Sequence, residues 1–214
     1  MGNAEGEVAE DLFMRAKAEA QFLRAFYYFW LINLFGDVPL IVEPTTLQNA
    51  NLPRTPKSEI VNFLLADLES AAAVLPESYS GANVGRATKG AALTLRARLA
   101  FYNGDYQSAA QDAKRVMDLG AYSLYADYEQ LFQYEGIRSQ EVIFDVPYSI
   151  SIHPNQVPYR QGTRAAGGFS ELVPSQYLID KYEATDGKNI RESAVYDPAH
   201  PFENRDPRLD ASII

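Results

Sequence analysis

Four segments within the first 120 residues place apolar side chains at three- and four-residue spacing, and this periodicity constrains the fold more than any other feature. The segments are 11–35, 56–75, 88–102 and 106–119. Each ends beside a residue that stops helices, in order Gly36, Pro76, Gly104 and Gly120. The pattern therefore predicts a mostly α-helical protein.

The same spacing predicts the apolar face of each helix. In the first segment the face comprises Leu12, Ala16, Leu23, Phe26, Tyr27, Trp30, Leu31 and Leu34. In the second it comprises Ile60, Leu64, Leu68, Ala71 and Leu75. In the third and fourth it comprises Ala92, Leu95, Leu99 and Tyr102, then Ala109, Ala113, Val116 and Met117. Trp30 is thus predicted as a core residue rather than a binding platform, and Thr55 as the N-cap of a helix that opens at Pro56.

The third and fourth segments are similar to one tetratricopeptide-type hairpin, because Gly104-Asp105-Tyr106 makes a tight connection. Small residues allow the two backbones to approach closely; they are Ala91, Ala92, Ala97, Ala109, Ala110 and Ala113. One hairpin cannot bury its own apolar face, so the two preceding helices are expected to stack on it. The sequence predicts a tetratricopeptide-like α-solenoid over residues 1–134.

The sequence changes character after residue 120, where long helical runs stop. Short helices are expected at 121–134 and 175–183, and a strand at 141–146 because this segment is rich in branched and aromatic residues. The stretch 147–168 has no period and contains several Pro and Gly residues, and loops of this length are usually functional or disordered. Residues 135–214 are predicted to form an irregular, loop-rich layer with a few short strands.

Composition narrows the possible chemistry. The net charge of −9 repels phosphate backbones, so nucleic-acid binding is not expected. The absence of cysteine excludes disulfides and thiolate-bound zinc, and His153 and His200 lack partners at metal-ligand spacing. Asp186, Asp197 and Asp206 are candidate calcium ligands without the spacing of an EF-hand, so a metal stays an open question. No cofactor is predicted.

A set of motifs in a fixed order resembles the SusD/RagB-like proteins. The first is the run from Glu19 to Phe29, which contains Phe22-Leu23-Arg24-Ala25, followed by Leu34-Phe35-Gly36-Asp37-Val38-Pro39-Leu40. Further matches are Arg54, Asp67-Leu68, Gly85-Arg86-Ala87-Thr88-Lys89-Gly90, Gly104-Asp105-Tyr106, Tyr122-Ser123-Leu124-Tyr125, Glu141-Val142-Ile143-Phe144, Gly167-Gly168, Asp186-Gly187 and Glu203-Asn204-Arg205-Asp206-Pro207-Arg208. Each motif alone is weak, but their order from residue 11 to the end is a specific signal.

The resemblance implies a tetratricopeptide-like array that binds oligosaccharides or polysaccharides. It also implies a SusC-like TonB-dependent transporter as partner and a place on the extracellular face of the outer membrane. Full-length members carry a lipidated N-terminal cysteine, an additional helical segment before the first motif and a long C-terminal region. We expect this chain to be part of such a protein, with membrane association only through a lipid anchor that lies outside the chain.

Most of the matched residues are predicted to be structural. They are Arg24, Gly36, Asp37, Pro39, Gly104, Tyr106, Arg205, Asp206 and Arg208. Arg24 and Arg54 are expected to form salt bridges with neighbouring helices. Arg205 and Arg208 are expected to tie the tail to the array, because a guanidinium group suits a partly buried carboxylate.

The candidate ligand contacts fall in the loop 147–169. Flat ring faces are offered by Tyr148, Tyr159 and Phe169, and planar hydrogen-bonding groups by Asn155, Gln156 and Arg160. The alternative is an ordinary solvated loop or a contact with the transporter. A shallow stacking site of this kind is expected to bind weakly, at about −8 to −4 kcal/mol.

Three functions are compatible with these features. Non-catalytic glycan binding follows from the motif set and the aromatic loop, and no catalytic residue is predicted. A protein-interaction scaffold that uses the helical array is the main alternative. An endo-acting glycosidase is the third, although carboxylate pairs among 28 acidic residues carry little information.

Overall fold

A computed structural model describes residues 8–47, 50–148 and 154–213. The α-helices in these residues are α1 (Glu10–Phe35), α2 (Lys57–Val74), α3 (Lys89–Tyr102), α4 (Tyr106–Asp118), α5 (Tyr128–Leu131), α6 (Val157–Gln161), α7 (Gln176–Ile179) and α8 (Arg208–Ser212). Within the described ranges, no helix combines the length and the hydropathy needed to cross a bilayer.

The described residues divide into two compact units. The first contains those up to Leu124 together with Gln140–Val146, and the second contains Tyr125–Ser139 and those from Pro147 onward. The units therefore alternate along the sequence, and a single boundary after residue 134 stays a prediction.

The first unit is a helical array in which α1 packs on α2, α2 on α3 and α3 on α4. All five residues predicted for the apolar face of α2 are buried, and Ile60, Leu64 and Leu68 have no exposed surface. Gly104 has a φ of +81° in the turn between α3 and α4, a conformation that glycine adopts without steric cost. The predicted helical hairpins are confirmed.

The face predicted for α1 is wrong. The buried residues of this helix are Ala18, Phe22, Ala25, Phe29 and Ile32. Trp30 is 52% exposed, and Leu23, Tyr27 and Leu34 are also exposed. Because α1 carries large apolar residues around most of its circumference, spacing alone does not set its orientation; packing against α2 and α3 does.

Two faces in the hairpin also differ from prediction. Tyr102, Ala113 and Met117 are exposed, and Asp112 is buried in α4 with 1% of its surface exposed. Arg96 of α3 donates to Asp112 Oδ1 at 2.6 Å, which compensates the buried charge. An ion pair thus occupies a buried position that the predicted face did not include.

The N-cap predicted at Thr55 is wrong, because α2 begins at Lys57 and its first amide donates to Asp37 Oδ1 at 2.8 Å. Thr55 instead pairs with Val38, donating its backbone N–H to the carbonyl at 2.9 Å. Thr88 does cap α3, accepting from Ala91 N at 3.1 Å. The carboxylate of the Gly36-Asp37 motif therefore serves the start of the next helix.

The strand predicted at 141–146 is absent. In the described residues, β pairing is confined to two isolated bridges, Val38 with Thr55 and Ala184 with Arg205. Phe144 packs edge-on against Phe22 of α1, with ring centroids 5.0 Å apart. Ile143 and Phe144 are partly buried against the helical core, and no second strand pairs with this segment within the described ranges.

The second unit consists of short helices and turns. The predicted helix 121–134 shortens to α5 with a 3₁₀ turn at Tyr134–Gly136, and the predicted helix 175–183 shortens to α7. Ser175 caps α7 by accepting from Leu178 N at 3.3 Å. Buried side chains are few in this unit. Among its described residues, they are Ala184, Arg205 and Leu209.

Candidate functional site

Backbone hydrogen bonds fix the loop in which the candidate ligand contacts lie. Phe169 N donates to the carbonyl of Tyr159 at 2.7 Å, and Glu171 N donates to the carbonyl of Arg160 at 2.8 Å. These bonds place residue 169 beside 159 and residue 171 beside 160. We name the segment 157–171 the clip.

Two glycines permit the close approach within the clip. A Cβ atom on Gly168 would lie 2.1 Å from the carbonyl oxygen of Gly162, far inside van der Waals contact. Gly162 N donates to Pro158 O at 2.8 Å, and Ser170 N donates to Gly162 O at 3.0 Å. The Gly167-Gly168 motif is therefore a steric requirement of the loop.

Tyr159 and Phe169, whose backbones are hydrogen-bonded to each other, both carry exposed aromatic side chains on the clip. They are 64% and 63% exposed, and their residues are joined by the backbone bond described above. Arg160 Nε lies 3.8 Å from Glu171 Oε2, so the same clip also carries a pair of opposite charges. The arrangement offers apolar ring surface with hydrogen-bonding groups and little net charge.

The other candidate contacts are Asn155, Gln156 and Tyr148. Asn155 Oδ1 accepts from Val157 N at 3.0 Å, so part of its hydrogen-bonding capacity serves the start of α6. Gln156 is exposed at the N-cap of α6. Tyr148 is exposed, and among the described residues no ring contact or hydrogen bond joins it to Tyr159 or Phe169. Residues 149–153, including His153, lie outside the described residues.

A cleft of 530 Å³ lies beside the clip, and it was not predicted from the sequence. It is lined by Gln161, Gly162, Thr163, Ala166, Leu172, Val173, Pro174, Leu178, Tyr182, Ser212 and Ile213. These residues come from three separate parts of the chain, so no local pattern brings them together. The adjacent apolar residues Leu172 and Val173, which the structure shows to be exposed, are the sequence feature that could have indicated an apolar surface here.

The acidic residues considered for metal binding have local partners. Asp186 Oδ1 accepts from Lys188 N at 3.2 Å, and Asp197 Oδ1 accepts from Ala199 N at 2.9 Å. The Arg208 guanidinium holds the pKa of Asp206 down to about 2. Across the ranges that the structure describes, no three acidic or histidine side chains converge as metal ligands would.

Arg205 is the most buried cation of the second unit, and its predicted carboxylate partner is wrong. Its guanidinium donates to the carbonyls of Ile179, Tyr182 and Pro201 at 2.7, 2.9 and 2.7 Å. Arg205 lies over the Tyr196 ring at 5.5 Å. The motif therefore ties two turns of the same unit together through the backbone.

The matched motifs of the first unit also have structural partners. Arg24 Nε donates to Asp67 Oδ2 at 2.8 Å, which is the salt bridge predicted between α1 and its neighbour. Arg54 donates to the Asp37 carbonyl at 3.2 Å, and its predicted salt bridge is absent among the described residues. The carbonyl of Pro39 accepts from the Tyr28 hydroxyl at 2.9 Å. Together these bonds fix the connection from α1 to α2.

An array of helical hairpins, together with a loop-rich unit that exposes aromatic rings, defines a helical-repeat protein. Residues 3–101 match a family model described as starch-binding and associating with the outer membrane, and residues 128–214 match the model of the SusD family. A SusD-like carbohydrate-binding protein of Bacteroides fragilis NCTC 9343 superposes with a TM-score of 0.87 at 32% identity, over 95% of this chain and 41% of that one. The chain belongs to the SusD/RagB family.

The names of two further relatives include a carbohydrate ligand. The starch-binding protein SusD of Bacteroides thetaiotaomicron is 31% identical over 170 residues, which cover 75% of this chain and 28% of that protein. Surface glycan-binding protein A of Bacteroides thetaiotaomicron, in complex with laminarihexaose, superposes with a TM-score of 0.59 at 26% identity, over 67% of this chain and 30% of that one. The chain thus spans less than half the length of the relatives it matches.

Proposed function

We propose that this chain contributes to non-catalytic binding of oligosaccharides or polysaccharides at the cell surface. Family membership supports the ligand class, since relatives are named for starch and laminarihexaose. The observation that carries the proposal is the clip, where Tyr159 and Phe169 hold exposed rings on a backbone fixed by hydrogen bonds. A preorganised aromatic surface binds without the entropic cost of ordering a loop.

The proposal includes delivery of the glycan to a SusC-like TonB-dependent transporter on the extracellular face of the outer membrane. The family description, starch-binding and associating with the outer membrane, supports this location. A lipid anchor elsewhere in the full-length protein would hold it there.

Calorimetry of the 214-residue chain against maltohexaose, laminarihexaose and other neutral oligosaccharides tests the proposal. We expect dissociation constants between micromolar and millimolar, or about −8 to −4 kcal/mol. Tyr159→Ala and Phe169→Ala should each weaken binding, whereas Tyr134→Ala removes an exposed ring outside the clip and serves as control. Binding to none of the panel contradicts the glycan function, and release of new reducing ends contradicts the non-catalytic assignment.

A protein-interaction scaffold is the second candidate, favoured by one observation in the first unit. Trp30 and Tyr102 contact Phe29 at ring-centroid distances of 5.6 and 5.2 Å, and Phe101 contacts Tyr102 and Tyr106 at 6.3 and 5.4 Å. Four of these five rings are exposed, and exposed Trp, Tyr and Phe are typical of protein interfaces.

Copurification with a SusC-like transporter tests the scaffold. A double variant, Trp30→Ser with Tyr102→Ser, should lose the transporter and leave oligosaccharide binding unchanged. Met117→Ser, an exposed apolar residue outside the ring series, is the matched control. Full retention of the transporter by the double variant contradicts a scaffold role for these rings.

A further inference from the structure

We propose that a polar cleft next to α7 is a second carbohydrate subsite, separate from the clip. The cleft has a volume of 340 Å³ and lies between α7 with its following turn and the turn at 189–192. Its lining residues are Tyr177, Asp180, Lys181, Asn189, Arg191 and Glu192, together with the apolar Ile190. We name it the Tyr177 cleft. None of these residues belongs to the clip or lines the larger cleft beside it.

An exposed aromatic ring forms one wall of the Tyr177 cleft. Tyr177 is 72% exposed. Lys181 Nζ covers one face of this ring, 4.8 Å from its centroid, and the exposure of Tyr177 leaves ring surface open outside this contact. A ring with a polar tip and an adjacent cation suits a sugar, whose C–H face is apolar and whose hydroxyl groups accept hydrogen bonds.

Several polar groups at the cleft are available to a ligand. Among the residues that the structure describes, no hydrogen bond or ion pair engages the guanidinium of Arg191 or the carboxylate of Glu192. Asn189 uses its Oδ1 to accept from Arg191 N at 3.0 Å, which leaves its amide donors unused within the described chain. Planar groups of these three types are matched to pairs of neighbouring hydroxyls.

The turn that carries these groups is held by its own backbone. Glu192 N and Ser193 N both donate to the carbonyl of Asn189, at 2.8 and 3.0 Å. Ser193 Oγ also donates to Asp186 Oδ2 at 3.0 Å, which fixes the turn to the preceding loop. The functional groups are therefore presented on an ordered backbone, and a ligand would not have to order it.

The charges of the residues that line the Tyr177 cleft indicate which class of sugar it would bind. Asp180 and Glu192 are balanced by Lys181 and Arg191, so the cleft has no net charge, and the whole chain carries −9. A uronate or sulfated sugar would gain little from the balanced cleft and would be repelled by the acidic chain. The expected ligand is a neutral hexose unit of an oligosaccharide, an assignment that rests on the proposed glycan function.

Oligosaccharide binding by two variants of the 214-residue chain tests whether the Tyr177 cleft is a carbohydrate subsite. Calorimetry would use whichever of laminarihexaose and maltohexaose binds the unmodified chain more tightly. Tyr177→Ala and Arg191→Gln should each raise the dissociation constant about tenfold. Tyr134→Ala, an exposed tyrosine outside the cleft, should leave it unchanged. Amide NMR shifts of Asn189 and Glu192 should move with ligand concentration, which reports the site even if one variant folds poorly.

The outcomes separate this inference from the proposed function. If no neutral oligosaccharide of the panel binds the unmodified chain, the glycan function fails and the subsite fails with it. Suppose that one binds, that Tyr177→Ala and Arg191→Gln leave its dissociation constant unchanged, and that the amide shift of Asn189 does not move. The subsite alone is then overturned. An oligogalacturonide that binds more tightly than either neutral hexaose overturns the neutral class.

Discussion

The two units are stabilised by different parts of the polypeptide. The first buries large apolar side chains such as Leu64 and Leu68 and joins its helices through ion pairs, with Asp112 almost fully buried. The second buries few side chains, and its turns are held by backbone hydrogen bonds and by Arg205. Side-chain packing therefore defines the helical array, whereas local backbone geometry defines the loops that display exposed rings.

The largest effect is expected at Asp112 in the first unit. Arg96 and Arg115 donate to Asp112 Oδ1 at 2.6 and 3.0 Å. Asp112→Ala leaves the partly buried Arg96 without this carboxylate, and the free energy of unfolding should fall by about 3–5 kcal/mol. Urea unfolding followed by helical circular dichroism measures the loss.

Asp118→Ala is the matched control in the same helix. Asp118 forms an exposed pair with Lys114 one turn away, so its removal should cost about 0.3–0.5 kcal/mol. Equal losses for the two variants would show that the buried ion pair contributes no more than an exposed one, and the contrast between the units would lose its main support.

A smaller effect is expected at Arg205, the corresponding buried charge of the second unit. Arg205→Ala leaves the carbonyls of Ile179, Tyr182 and Pro201 without their donor, at a cost of roughly 3 kcal/mol. Amide exchange should become faster in the second unit and stay unchanged in the core of α2. Protection lost equally in both units would mean that they unfold as one.

The sequence predicted the buried face best in α2. Its five predicted residues recur at three- and four-residue spacing and are all buried, although Val61, Phe63 and Leu65 of the same helix are apolar as well. In α1 both sides are apolar, and the choice between Phe29 and Trp30 depended on neighbours far along the chain. The strand at 141–146 failed for a related reason, since strand propensity acts only where a partner strand is available.

The candidate site was predictable in part. The Gly-rich motif and the aromatic residues located the clip, but only coordinates show that residue 169 pairs with 159. Tyr148 was grouped with these rings as a candidate contact, and this grouping stays a prediction, since within the described residues no ring contact joins Tyr148 to Tyr159 or Phe169. The Tyr177 cleft combines α7 with a turn that begins ten residues later, a juxtaposition that no periodicity encodes.

A third prediction concerns the clip. In Gly168→Ala, the new Cβ atom would lie 2.1 Å from the Gly162 carbonyl oxygen, so the loop has to open. We expect a local cost of about 1–3 kcal/mol, as for other overpacked sites. Amide exchange of Phe169 and Glu171 should accelerate and oligosaccharide affinity should fall, without a change in the unfolding of the array.

Ala165→Ser is the control for this loop, since the residue is exposed in the same clip and a serine adds little volume. Its stability should stay within about 0.5 kcal/mol of the unmodified chain. If Gly168→Ala retains full affinity for an oligosaccharide, the geometry of the clip does not matter for binding.

The smallest effect is a pH dependence in the second unit. Hydrogen bonds from the side chain and the backbone amide of Arg208 lower the pKa of Asp206 to about 2. Because the folded pKa lies below the ordinary value of about 3.9, the pair stabilises the fold above that pH. This contribution is lost as the pH falls from about 4 towards 2, and it is small because solvent screens the exposed Arg208.

The carboxyl carbon of Asp206, followed by NMR, should titrate with a midpoint of about 2. In Arg208→Gln the midpoint should rise towards about 3.9 but stop short of it, because the backbone amide at position 208 still donates to Asp206 Oδ1 at 2.9 Å. Arg191→Gln removes a cation of the same unit that has no bond to Asp206 among the described residues, so it should leave the midpoint unchanged. A midpoint unaffected by Arg208→Gln would mean that the backbone alone sets this pKa, in agreement with the dominant role of backbone hydrogen bonds in the second unit.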